Sequence, residues 1–153
     1  MIFFFSAAAL VLLLDQISKY LVASSMTLGS SIPVIPGVFE LTYIQNTGAA
    51  WGILADKQLL LQIFTALLMA GIIIYAAVCR KKMTKLELLS LGSILGGGLG
   101  NFISRVVSGY VVDFFNIQII PVFNVADIGI TVGCALLVIV TLLSAKTEKP
   151  DGQ

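Results

Sequence analysis

Four stretches, approximately residues 2 to 22, 59 to 79, 86 to 104 and 126 to 145, stay apolar over the length needed to cross a bilayer. A hydrocarbon core takes about 20 residues at a helical rise of about 1.5 Å each. Lipid cannot pair backbone amides, so each stretch is expected to be a helix. Composition agrees: of 153 residues 58% are hydrophobic and 11% charged, and the mean hydropathy is +1.04. These values lie far from those of soluble domains and predict an integral membrane protein. The first stretch has the look of a secretory leader, but it lacks a basic start, continues past Asp15 and is followed by three more spans. A retained first helix is expected.

The basic residues give the chain a direction. Arg80, Lys81, Lys82 and Lys85 lie between the second and third spans, and Lys146 and Lys149 follow the fourth. Only Lys19, Lys57 and Arg105 fall toward the other face, which predicts both termini in the cytoplasm and segments 23 to 58 and 105 to 125 outside. Nine basic residues against eight acidic ones give no field that would recruit nucleic acid. Cys79 and Cys134 lie in apolar runs and are read as packing residues.

Segment 23 to 58 is too long for a plain connection. Phe39-Glu40-Leu41-Thr42-Tyr43 alternates apolar and polar residues as a half-buried strand does, behind a punctuated entry at Pro33, Pro36 and Gly37. A short sheet at the membrane surface is expected, paired within itself or with Tyr110-Val111-Val112. In the third span Gly92, Gly96 and Gly100 form a small-residue stripe, read as a packing surface for another helix. Gly96-Gly97-Gly98-Leu99-Gly100 is no phosphate cradle, because no Lys-Ser/Thr follows it. Asn46-Thr47-Gly48 reads as a turn.

Two carboxylates stand out against this background. Asp113, in Val111-Val112-Asp113-Phe114, and Asp127, in Phe123-Asn124-Val125-Ala126-Asp127, flank one short loop at the edges of apolar segments, in a chain with five Asp and no His. Ionised carboxylates beside hydrocarbon are costly. Asp127 has a plainer reading as the N-cap of the fourth helix, and Asp113 one as a solvated turn residue. Asp15 is read first as the i,i+4 partner of Lys19. Asn101 and Asn124 are amides at membrane depth and need partners.

The lack of histidine removes Ser-His-Asp, Cys-His and His-Glu-x-x-His solutions together. A Ser-Lys pair is disfavoured because Ser18 and Lys19 are direct neighbours rather than one turn apart. Two nearby carboxylates remain, and at low dielectric they share one proton. One then serves as base toward water and the other as acid toward a carbonyl.

Five motifs in order, Asp15-Gln16-Ile17-Ser18-Lys19, Asn46-Thr47-Gly48-Ala49-Ala50-Trp51, Gly100-Asn101-Phe102-Ile103-Ser104-Arg105, Val111-Val112-Asp113-Phe114 and Phe123-Asn124-Val125-Ala126-Asp127, span about residues 8 to 143. Their arrangement resembles the bacterial lipoprotein signal peptidases, the type II signal peptidase family. The resemblance implies an all-α membrane protein: four transmembrane helices with a small extracytoplasmic β-cradle, forming one peptidase domain over residues 1 to 153. It implies an aspartic endopeptidase of the bacterial cytoplasmic membrane that cuts diacylglyceryl-modified prolipoproteins just before the lipidated cysteine. Asp113 and Asp127 would be the catalytic pair, and Asp15, Lys19, Asn46, Gly48, Asn101, Arg105 and Asn124 would bind substrate or support the site. No cofactor or metal is implied; membrane lipid and globomycin-type inhibitors are the other expected partners.

Two positions depart from the family pattern. Ser104 stands where an Asp is usual, and it is expected to leave Arg105 without a charge-assisted partner. Ile128 stands where a small polar residue is common. Ser104 supports a second reading, a weakened or silent relative that binds lipidated precursors without cutting them. A small transporter is a third, although its carboxylates would be expected nearer the midplane.

Overall fold

The computed structural model describes residues 1–48 and 57–147, so Ala49, Ala50, Trp51 and Lys149 of the reading above lie outside the described residues. The elements in order are α1 (Ile2–Ser25), β1 (Ser31–Ile35), β2 (Phe39–Asn46), α2 (Gln58–Cys79), α3 (Lys85–Ser108), β3 (Val111–Asn116) and α4 (Val125–Thr147). All four helices are long and apolar enough to cross a membrane. Their outward residues, among them Leu10, Leu13, Phe64, Leu67, Ile74 and Leu142, remain exposed as lipid-facing side chains do.

α3 is the helix around which the others assemble, and its glycines explain why. A Cβ on Gly92 would run into the Phe4 carbonyl of α1, one on Gly96 into the Ala8 carbonyl, and one on Gly100 into the Asp15 carboxylate. The expected stripe is therefore the α1 contact. Gly97 faces the other way, against the Ala126 carbonyl of α4, and Gly133 of α4 answers with the Ser90 carbonyl 2.7 Å from its missing Cβ. Van der Waals packing drives helix association in lipid, and absent side chains bring backbones close. Phe4, Ala8, Met69, Ala76, Leu88, Leu91 and Leu95 fill the space between α1, α2 and α3.

The ends of α3 are well specified. Thr84 and Glu87 form a reciprocal capping box, with Glu87 N–H to Thr84 Oγ1 at 3.2 Å and Thr84 N–H to Glu87 Oε2 at 2.7 Å. Gly109 closes the helix at φ +77° and returns its N–H to the Arg105 carbonyl at 3.1 Å. α2 is tied to that end by Gln58, which donates to the Gly109 carbonyl, and by Gln62, which donates to the Arg105 carbonyl at 3.3 Å.

The sheet is antiparallel in the order β1-β2-β3. The strand expected at Phe39 to Tyr43 runs on to Asn46 and pairs with both proposed partners. Ile44 lies opposite Asp113 and Asn46 opposite Val111, with a bulge between Leu41 and Ile44. Tyr43, Val112 and Phe114 pack with Val22 of α1 in a second cluster, which seats the sheet on the bundle end.

Candidate active site

Asp127 is not the N-cap of α4. Asn124 occupies that place, and Asp127 sits three residues on in a reciprocal box. Asn124 Oδ1 accepts the Asp127 N–H at 3.1 Å, and Asp127 Oδ2 accepts the Asn124 N–H at 3.1 Å. A third free N–H at this helix start, that of Ala126, is bound by Asp15 Oδ1 of α1 at 2.9 Å. One helix thus supplies part of another's cap. Gly100 leaves the room for the Asp15 side chain to get there.

Asp113 is a strand residue, not a turn residue, and is 2% exposed. Its Oδ2 accepts from Asn46 Nδ2 at 2.9 Å, and its Oδ1 accepts from Asn124 Nδ2 at 2.6 Å. Burial is the main cause that pushes its carboxyl up to about 6, with the charge of Asp127 adding to the rise. The Asn46 and Asn124 amides and the charge of Lys19 pull it back down.

Asn101 joins the two carboxylates. Its Oδ1 accepts from Lys19 Nζ at 2.8 Å and from Asn124 Nδ2 at 3.2 Å, while its Nδ2 donates to Asp127 Oδ1 at 2.9 Å. A path of hydrogen bonds therefore runs from Asp113 through Asn124 and Asn101 to Asp127. The expected Lys19–Asp15 pair is present at 2.8 Å, fully buried on the Asp15 side. It also reaches Asn101, so it is part of the same network.

Arg105 Nη2 donates to the Gly48 carbonyl at 3.0 Å and Nη1 to the Asn101 carbonyl at 3.4 Å. Gly48 in turn gives its N–H to Asn46 Oδ1 at 2.9 Å, which fixes the amide that donates to Asp113. All nine residues singled out in the sequence are thereby brought together. The expectation for Ser104 holds at Arg105, whose partners are two carbonyls and no carboxylate and whose buried Nε finds no acceptor among the described residues; the Ser104 hydroxyl itself bonds the Gly100 carbonyl at 3.0 Å and lies 3.4 Å from Lys19 Nζ. Adjacent residues on a helix do not face each other.

Sequence reasoning missed the part played by Gln16. Its Nε2 donates to Asp15 Oδ2 at 3.0 Å and to the Gly100 carbonyl at 3.2 Å, a second donor on the oxygen that Lys19 binds, which leaves Oδ1 for Ala126. The signal was there, an amide directly after an acid inside an apolar span. Among the described residues no three His, Cys, Asp or Glu side chains gather as a metal site would.

Charge bookkeeping favours a shared proton. Asp15 offsets Lys19, and one negative charge on the Asp113–Asp127 pair offsets Arg105, so the buried cluster is neutral when the pair holds one proton. Four membrane-length helices and a small sheet, closing around two carboxylates in a chain without histidine, put the protein in the class of membrane-embedded aspartic peptidases.

Comparison with known proteins narrows that class, and the chain belongs to the signal peptidase II family. The family described as Signal peptidase (SPase) II matches residues 7–143. The chain is 42% identical over 148 residues to a lipoprotein signal peptidase of Brevibacillus brevis, covering 95% of this chain and 99% of that protein. It superimposes on a bacterial membrane enzyme solved by the in meso method at 2.3 Å with a TM-score of 0.84 at 34% identity, covering 96% of this chain and 91% of the other. A second bacterial membrane enzyme, solved by the same method at 1.9 Å, gives 0.79 at 35% identity over 89% of this chain and 90% of the other.

Proposed function

We propose that this protein removes the signal peptide from diacylglyceryl-modified prolipoproteins by cutting before the lipidated cysteine, with Asp113 and Asp127 as its catalytic pair. The observation that carries the roles is the amide path linking the two carboxylates, since it holds them in fixed relation at low dielectric. In this reading Asp113 takes the part of the acid and Asp127 that of the base toward water. The water oxygen attacks the scissile carbonyl carbon as its proton passes to Asp127. The Asp113 proton goes to the carbonyl oxygen. On collapse Asp127 gives the captured proton to the amide nitrogen, the C–N bond breaks, and one hydroxyl proton of the tetrahedral species returns to Asp113, which leaves the free amine, the carboxylic acid and the pair with its single proton.

Asn46 and Asn124 orient Asp113; Asn101, held by Lys19, orients Asp127; Asp15 fixes the start of α4. Arg105 and Gly48 border the site where the peptide backbone passes. The whole chain acts as one peptidase domain in the bacterial cytoplasmic membrane, with both termini inside and the sheet end outside, as the excess of Lys and Arg around residues 80 to 85 and 146 to 149 favours. Globomycin-type peptides would compete for the same site. The second reading, a weakened or silent relative that binds lipidated precursors without cutting them, keeps the support of Ser104, since Arg105 meets two carbonyls and no carboxylate among the described residues; comparing the wild type with Ser104→Asp in the same cleavage assay separates the two.

The test is incubation of the purified protein with a diacylglyceryl-modified precursor beside Asp113→Asn and Asp127→Asn. Each substitution is expected to lower cleavage by about 10² to 10⁴. Cleavage at the wild-type rate in either variant removes the pair.

A further inference from the structure

The densest run of like charge in the chain lies at the end of the bundle away from the candidate carboxylates. Arg80, Lys81, Lys82 and Lys85 are all exposed. Lys85 opens α3, and Asn101 of the amide network follows about 24 Å further along that helix. Glu87 is the nearest acidic residue in the chain, and its Oε2 is engaged by the Thr84 N–H at 2.7 Å and the Thr84 hydroxyl at 2.8 Å. Among the described residues the ion pair is Lys19–Asp15, so the four cations find no counter-charge there.

Local structure keeps these charges together. α2 ends at Cys79 and α3 begins at Lys85, and the Lys82 N–H turns back to the Cys79 carbonyl at 2.9 Å. Even fully extended, the chain from residue 80 to residue 85 would reach only about 17 Å, and the turn shortens it. The Lys85 ammonium lies 5.4 Å from the centroid of the Phe3 ring, so the patch joins the start of α1 to the end of α2 and the start of α3. The first amides of α3 are served by the Thr84–Glu87 box, which leaves the side chains as the binding groups.

Two features select the occupant. The connection is too short to carry its cations far into water, and Phe3, Tyr75, Val78 and Leu86 beside it are exposed as lipid-facing residues are. The charges therefore stand at the level of the headgroups. A soluble acidic partner would have to descend to that level, whereas lipid phosphates already occupy it. A phosphodiester supplies charged acceptor oxygens that the Arg80 guanidinium can take in parallel and the three ammonium groups as point charges.

We propose that Arg80, Lys81, Lys82 and Lys85 form a binding site for the headgroup phosphate of an anionic phospholipid, which ties the shared end of α1, α2 and α3 to one leaflet. The site holds no residue of the amide network and stands whether or not the protein cuts a precursor.

The experiment places the full-length protein in phosphatidylcholine nanodiscs that contain a minor fraction of phosphatidylglycerol. Either lipid carries a photoreactive group at the glycerol end of one acyl chain, and adducts are mapped by mass spectrometry. Phosphatidylglycerol is expected to label Phe3 and residues 75 to 86 in preference to phosphatidylcholine, by about threefold to fivefold for each basic residue engaged. Lys81→Gln/Lys82→Gln should lower that preference about tenfold, and Lys81→Arg/Lys82→Arg should keep it. Lys57→Gln removes an exposed cation at the opposite end of α2 and should leave it unchanged. The unmodified protein gives a reading that needs no substitution: raising the ionic strength from about 0.05 M to about 1 M should remove most of the preference. Equal labelling by the two lipids at low salt, a preference that survives high salt, or a loss in Lys57→Gln as large as in the paired glutamine variant each overturns the site. Suppression by inorganic phosphate or by an acidic peptide, at the concentration of the anionic lipid, would assign the cluster to a soluble ligand and overturns it equally.

Discussion

At Asn101 one amide meets Lys19, Asn124 and Asp127, and its oxygen is committed to the first two. Its nitrogen is thereby turned toward Asp127, which fixes the donor pattern around the proposed base. Asp113 has the corresponding arrangement from Asn46 and Asn124. With Asp113 at about 6, activity that needs its proton is expected to fall on the alkaline side near that pH. Asn46 lowers the Asp113 value, so Asn46→Ala should move the alkaline limb of kcat/KM upward; an unmoved or lowered limb contradicts the assignment. The stability sign runs the same way. A folded value above the unfolded one of about 3.9 means Asp113 costs stability above pH 6, and the cost is relieved as pH falls from there toward 4. Ser104 is weakly engaged with Lys19 at 3.4 Å, so Ser104→Ala should change kcat/KM by less than about threefold. A tenfold loss in the cleavage assay would give Ser104 a role that its contacts do not show.

Between elements, the joint of α1, α3 and α4 matters most. Gly92 and Gly100 both admit α1, but Gly92 faces the Phe4 carbonyl and Gly100 faces Asp15. Both alanine variants should destabilise by about 1–3 kcal/mol through overpacking. Only Gly100→Ala should also lower turnover beyond what stability explains, because it displaces the carboxylate that caps α4. Thermal unfolding and initial rates measured on the same samples separate the two. Lys19→Met leaves Asp15 charged and buried, for which a loss of about 3–5 kcal/mol is expected. Adding Asp15→Leu should restore part of that stability without restoring cleavage.

The same elements show what the sequence made legible. Apolar length placed all four helices, and only their ends moved: α1 runs on to Ser25 and α3 to Ser108. Hydropathy fades at the interface while backbone pairing continues, until Gly109 stops α3. Alternation found β2, but its partner was read only as Tyr110-Val111-Val112, whereas β3 runs from Val111 to Asn116 and takes in Asp113. The bonds from Lys19 to Asn101 and from Asp15 to Ala126 had no local signal, since they join residues far apart in the chain. The lack of a charged partner at Arg105 was legible from Ser104, but the contacts of the Ser104 hydroxyl with Gly100 and Lys19 were not.

For the molecule as a whole, these placements make the chain a bundle whose buried charged groups are gathered at one end and balanced there. α3 contacts each other helix, so its glycines govern both the bundle and the site. The start of α4 lies level with Asp15 and Asn101, while α1 and α3 continue past it to Ser25 and Ser108. At a helical rise of about 1.5 Å per residue those continuations stand about 15 Å and about 10 Å above the carboxylates. The late start of α4 therefore sets the two carboxylates below the ends of α1 and α3. In the proposed reaction a scissile bond would have to pass below those ends to reach the pair.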